Sequence, residues 1–363
     1  MPHKLVNAPA ACLGPPAAGN ACTPPAGTGI LKVLMAQKMF FEFPKPVVSR
    51  APWLPVAVAW LAAAVLLPGC RQPGAEDRPA GVGPRVIATT TVVADLVRQV
   101  GGEWVTVDCL MAAGIDPHSY KATPRDTDRL LQADLVVASG LHLEGRLATL
   151  LERLADRVRV VAVADRLPAE RLLAAGGEIP DPHVWFDAEL WSLLPAQVAA
   201  SLAEIDPDRA DDYRARAEGY AARLRDLDET VRQRIAAIPE GRRVLVTAHD
   251  AFRYFGRAYG MEVVGVQGTS TVSEAGLGDI NRLVELVVSR KIPAVFVETS
   301  VADRNVAALL EGARARGHEV RLGGRLSSDS LGAPGSGADT LERALLTNVE
   351  TIVAALAPPE DGP

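Results

Sequence analysis

Cysteine is scarce in this chain: four residues in 363, at Cys12, Cys22, Cys70 and Cys109. Only Cys109 lies beyond residue 70, which excludes an internal disulfide and a thiolate metal cluster from that part. Long apolar runs are missing as well. The one uncharged apolar stretch, residues 53–67, is shorter than the ~20 residues that span a bilayer as a helix. Basic charge is not in excess: the formal net charge is −6, and residues 1–70 are themselves more basic than acidic. The remainder is therefore more acidic still, which argues against a nucleic-acid partner.

Histidine is sparse too, with six in all, and three of them, His118, His183 and His249, fall beside predicted strand ends or tight turns. Two share one local setting, Asp116-Pro117-His118 and Asp181-Pro182-His183. With Asp329 they form a set whose members lie 65, 66 and 80 residues apart, too far for a local zinc-finger clip. Three imidazoles and one carboxylate can close a four-coordinate shell around a divalent ion such as zinc. Ligands so dispersed meet only where two lobes face each other.

The front of the chain carries targeting signals. Lys45 and Arg50 precede the apolar run, and Pro68-Gly69-Cys70 follows it, the order of a secretory signal. Residues 67–70 resemble the bacterial lipobox, in which the cysteine is lipidated and becomes the new N-terminus, although Pro68 is unusual there. The alternative is an uncleaved signal anchor. Residues 1–70 read as leader and signal, with Met35 or Met39 as the start of the working signal. Residues 71–84, rich in Pro and Gly, read as a flexible tether. An extracytoplasmic lipoprotein held to the membrane through Cys70 is the expectation, on the periplasmic face or the cell surface.

From residue 85 strands and helices alternate. Strands are predicted over 86–91, 105–111, 134–138 and 158–163. Thr123 is placed as N-cap of a helix with Pro124 at its first position. This forms an N-terminal α/β lobe, 85–205. Residues 206–238 place Tyr213, Tyr220, Leu224, Leu227, Val231, Ile235 and Ile238 on one stripe of a charged helix. It reads as one helix linking two lobes, with coiled-coil association as the alternative. The C-terminal α/β lobe, 239–358, has predicted strands over 244–247, 263–266, 294–297 and 319–322 and a closing helix over 341–356. The fold class is α/β: two doubly wound lobes with mainly parallel sheets, joined by one long helix. His249 lies at a strand's carboxyl end, where such sheets collect ligands.

Residues 116–120 (DPHSY), 181–187 (DPHVWFD), 247–252 (TAHDAF), 296–300 (FVETS) and 328–332 (SDSLG) resemble the metal-binding segments of the cluster A-I substrate-binding proteins. These are the zinc and manganese receptors of bacterial ABC importers, also called the zinc-uptake or TroA-like family. The resemblance covers roughly residues 85–357. It implies ligands at His118 and His183 in the first lobe and at His249 and Asp329 in the second. It implies a monomeric receptor that passes its ion to an ABC permease, with Zn²⁺ as transported ligand, Mn²⁺ or iron as the alternative, and no catalytic cofactor. Two departures stand out. The His-rich acidic loop of many zinc receptors is absent from 171–180, and His142 stands where the family often has asparagine.

Other residues carry weaker signals. Glu298, at a strand end, is read as an acceptor for a ligating imidazole or as a satisfied strand-end group. Asp250 is read with Glu298 as a candidate for support behind a ligand, and it is the residue that would serve as general base in the competing reading, a zinc hydrolase. An adhesin lipoprotein is a third class. His318 reads as a helix C-terminal cap, His142 as a surface histidine, and Trp185 and Phe252 as packing that keeps the centre dry. Tyr120 is left open between packing and chemistry.

Overall fold

Short β-branched runs flanked by helices become parallel strands, some of which, such as Leu135–Ala138 and Ala294–Glu298, are buried on both faces. The computed structural model describes residues 83–176 and 179–358. The apolar run 53–67, Cys70 and most of the tether lie outside the described residues, and among the described residues no helix is long and apolar enough to cross a membrane.

In the first lobe, β1 (Arg85–Ala88) leads to α1 (Thr91–Gly101), then β2 (Thr106–Cys109), α2 (Pro124–Leu131), β3 (Leu135–Ala138), α3 (Arg146–Leu154) and β4 (Val160–Ala162). These strands form one parallel sheet in the order β2-β1-β3-β4. The first predicted strand overruns by three residues because Thr90 turns the chain: its side chain accepts the Val93 amide and caps α1. Thr123 caps α2 in a reciprocal box with Asp126, with Pro124 at the first helical position. A small antiparallel pair, β5 (Ala174–Gly176) and β6 (Ile179–Pro180), precedes the helices α4 (Ala188–Trp191) and α5 (Pro195–Ala203).

The linking helix is α6 (Ala210–Ile235), 26 residues or about 39 Å long. It starts later than predicted, because Pro207–Arg209 form a 3-10 turn, and Ile238 lies in the turn that follows. Its buried stripe includes Ala217, which fills the gap between Tyr213 and Tyr220.

The second lobe contains β7 (Val244–His249), α7 (Arg253–Tyr259), β8 (Glu262–Gln267), α8 (Leu277–Ser289), β9 (Ala294–Glu298), α9 (Arg304–Ala315), β10 (Arg321–Leu326) and α10 (Leu341–Leu356). Strands β7 and β8 pair in parallel, as do β9 and β10. The last strand lies further along the chain than its sequence suggests. It contains Gly323 and Gly324 at a bulge, and a side chain at Gly323 would meet the Phe296 ring at 2.6 Å. His318 closes α9: its amide reaches the Ala313 carbonyl while Gly317 takes φ +77, the geometry of a Schellman cap.

One apolar core runs through both lobes. Leu96 and Val97 of α1, Leu224 and Val231 of α6, Phe252 and Phe255 near α7, and Leu345 and Val349 of α10 belong to the same buried cluster. At its edge the Asp95 carboxylate of α1 accepts the Leu341 amide, capping α10 in the other lobe.

Candidate metal centre

Each of the four histidine and aspartate candidates is delivered by a loop or strand end at the inner edge of its lobe. His118 follows β2, His183 follows β6, His249 is the last residue of β7, and Asp329 follows β10. The fold brings one donor atom from each to within 4.8 Å of all the others. His118 Nε2 lies 3.3 Å from His183 Nε2, and Asp329 lies 3.4 Å from His183 Nε2, 3.3 Å from His249 Nε2 and 4.0 Å from His118 Nε2. A tetrahedron of donors about 2.0–2.1 Å from a zinc ion has edges of about 3.3–3.4 Å. Three of these four separations have that length.

The donor set is also short of partners. His249 Nε2 and Asp329 Oδ1 are buried and accept or donate no hydrogen bond. Buried polar atoms without partners are costly. A cation bound among these four donors would satisfy both.

Three of the rings and carboxylates are sealed from solvent, while His118 is 5% exposed. It lines a cleft of about 340 Å³ with His142, Pro182 and Val272. Aromatic rings pack in the interior beside the centre: Trp185 lies edge-on to His183 at 5.3 Å, and Phe186 meets Phe252 at 4.3 Å across the lobes.

Two carboxylates hold rings from behind. Glu298 accepts both the His249 amide, at 2.8 Å, and its Nδ1, at 2.5 Å. Asp181 does the same for His183, at 3.1 Å and 2.7 Å. Fixing Nδ1 in this way leaves Nε2 to face an ion. The sequence pointed to Glu298 but not to Asp181, although the signal was there: an aspartate two residues before a histidine forms an Asx turn on its amide.

The electrostatics follow from these contacts. Burial opposes charge on His183, but the bond to Asp181 and the nearby Asp329 carboxylate outweigh it and raise its pKa. For His249, burial is overcome by Asp329 and Glu298, and its pKa rises well above the ordinary value. His118 moves the other way, down to about 4, because burial is only partly offset by Asp329. Burial works against the Asp329 carboxylate, yet His249 and His183 hold it well below the usual range.

The remaining candidates stand apart. Asp250 pairs with Arg253 at 3.7 Å, and burial pushes its pKa up to about 6. Tyr120 donates to Asp126 at the start of α2. His142 is exposed, with φ +63, at the rim of the cleft. His318 Nε2 lies 2.8 Å from the Ile292 carbonyl, far from the centre in sequence and tied to its helix end. Residues 328–331 were not foreseen as a seam. The Ser328 carbonyl accepts the Trp185 indole, Ser330 Oγ accepts the Gly114 amide, and the Leu331 amide reaches Thr91 Oγ1. Asp329, which comes from the second lobe, is thus flanked by three bonds to the first.

Comparison with known proteins gives one answer. The profile of the family described as zinc-uptake complex component A, periplasmic, matches residues 86–355. The manganese-binding lipoprotein MntA of Bacillus subtilis is 44% identical over 299 residues, covering 82% of this chain and 97% of that protein. The zinc-binding protein TroA of Treponema pallidum is 42% identical over 284 residues, covering 78% of this chain and 92% of that protein. The solved structure of the periplasmic zinc-binding protein TroA superposes with a TM-score of 0.74, covering 76% of this chain and all of that one.

Proposed function

This chain belongs to the family of zinc-uptake complex component A, periplasmic, and on that premise we propose that it is an extracytoplasmic receptor for a divalent transition metal, which it binds between its lobes and hands to an ABC importer. The observation that carries the proposal is the convergence of His118, His183, His249 and Asp329, with two of their buried atoms lacking any other partner. These four are the proposed ligands, and Glu298 and Asp181 orient two of them.

Zinc is the favoured ion. Three neutral imidazole nitrogens and one carboxylate suit zinc better than manganese, and the general affinity order of divalent ions agrees. Manganese is the second reading, since the relative with 44% identity is named for it. A competition titration decides: zinc is expected to bind at least ~tenfold more tightly at neutral pH, or ~1.4 kcal/mol. Displacement of zinc by equimolar manganese would reverse the assignment.

A receptor fits better than a hydrolase. Asp329 takes the fourth position, where a zinc enzyme keeps water, and Asp250 pairs with Arg253. An adhesin role would need no metal affinity and no importer, so metal-dependent uptake in cells separates the two. The ion reaches the centre from the cleft beside His118 and displaces protons from the raised imidazoles. Because α6 and its core join the lobes, loading calls for small lobe shifts, which the permease would reverse to release the ion.

The proposal extends to the leader. Residues 1–69 are removed by cleavage before Cys70, which is diacylated. Residues 71–84 tether two lobes, 85–205 and 239–358, joined by the 206–238 segment, and the protein acts as a monomer. Two acyl chains give the stable attachment that one does not. Mass spectrometry of the mature N-terminus tests this, and an unmodified or uncleaved end would refute it.

A further inference from the structure

Arg253 sits at the point where the two lobes and the two halves of the centre meet. It opens α7, four residues after His249. Its Nη1 donates to the Ala174 carbonyl in the other lobe at 2.6 Å and lies 3.6 Å from Asp181 Oδ2. Its Nε lies 3.7 Å from Asp250 Oδ2. Asp181 is fully buried, and while its Oδ1 holds the amide and ring of His183, its Oδ2 has no hydrogen-bond partner. The one cation paired with that oxygen among the described residues is Arg253.

We propose that Arg253 is a positioning residue for ion binding: its guanidinium is the counter-charge that keeps the Asp181 carboxylate seated, so that Asp181 can fix the ring of His183. The inference rests on the receptor reading above and adds a residue to it from the opposite lobe. A buried carboxylate oxygen without a hydrogen bond is costly unless a cation lies near, and removing the guanidinium, itself one-third exposed, leaves the buried Asp181 charge uncompensated. Without Arg253, Asp181 shifts to find another donor, and the ring it holds shifts with it. His249 needs no such help, because both oxygens of Glu298 are already engaged by His249 itself.

Arg257 provides an internal control. It ties the same helix to the same segment, through the Arg171 carbonyl at 2.6 Å and Asp187 at 3.0 Å. No ion pair joins it to Asp181, so it shares the strapping role of Arg253 but not the charge role.

The test is zinc affinity of the full chain by chelator competition, with the thermal midpoint of the metal-free protein alongside. Arg253→Gln is expected to weaken zinc binding about tenfold, the usual effect of losing support behind a ligand. Arg253→Lys, which keeps the charge, is expected to recover most of that loss, and Arg257→Gln to leave affinity near wild type. Asp181→Asn should weaken binding to a similar degree, and adding Arg253→Gln to it should cost nothing further. The proposal is overturned if Arg253→Gln lowers only the thermal midpoint, if Arg257→Gln or Arg253→Lys weakens zinc as much as Arg253→Gln, or if the Arg253 and Asp181 losses add. A wild-type chain that binds neither zinc nor manganese would instead overturn the receptor reading, and this inference with it.

Discussion

The tripeptide Asp-Pro-His occurs twice, and its two copies do different work. In both, the aspartate accepts the amide of the histidine two residues on, at 2.9 Å for His118 and 3.1 Å for His183. At residues 181–183 the same oxygen also takes the ring Nδ1, and the histidine is sealed from solvent. At residues 116–118 the second oxygen of Asp116 turns away from the ring, to the hydroxyls of Ser119 and Thr271. His118 keeps slight exposure on the cleft, and its pKa falls where that of His183 rises. Identical local sequence fixes the turn. The surroundings decide whether the ring is locked from behind or left facing the way in.

The largest test of this contrast is loss of the rings themselves. Saturating zinc should stabilise the native protein by ~4 kcal/mol at a thousandfold excess over Kd. His183→Ala and His118→Ala should each remove most of that gain in a thermal melt, since both donate to the same ion. Shifts equal to wild type in both variants would put the ion elsewhere.

Acidity should separate the two next. Groups with raised pKa hold protons that an entering ion must displace, so affinity falls as pH falls. His183 and His249 are raised, whereas His118, near 4, is already neutral at pH 7. Zinc binding should therefore release protons from His183 and His249 rather than from His118, and weaken as pH falls by up to ~tenfold per pH unit for each of those two rings that is still protonated. Calorimetric titration in buffers of different ionisation enthalpy counts these protons directly. A count of three would place His118 with the others and erase the contrast.

The smallest effect lies in the two aspartates. Asp181→Asn should cost about tenfold or more in zinc affinity. Asp116→Asn, which touches an amide and two hydroxyls, should cost about threefold, the size of one ordinary hydrogen bond. Equal losses would mean that Asp116 also governs its histidine's ring.

Much of this was legible in the sequence, for definite reasons. Strands buried on both faces, such as β1 and β7, read as short runs dominated by apolar, β-branched residues, and the stripe of α6 repeats at helical spacing. The four donors were legible because histidine is rare here and its settings repeat. What stayed hidden has no side-chain pattern. Ala217 is too small to mark a stripe, and the glycines of β10 conceal a strand that must pass over Phe296. The seam at 328–331 is made largely by backbone groups meeting partners 143 to 240 residues away. Arg253 reads as one more charge on a polar helix until Asp181 is placed beside it.

The bond from Asp95 to the Leu341 amide has a consequence for how the chain is made. These residues are 246 apart, and Leu345, Val349 and Ile352, which follow the capped end, complete the core that Leu96 and Val97 begin. The shared core therefore waits for the last helix, whereas the first lobe's other cluster, around Ile87, Val136 and Leu147, draws on that lobe alone. Contacts of such long range make folding slow and late. Completion of that core is left to the final residues made, and a protein shortened by α10 alone would leave the buried Asp95 carboxylate of the first helix without its Leu341 partner.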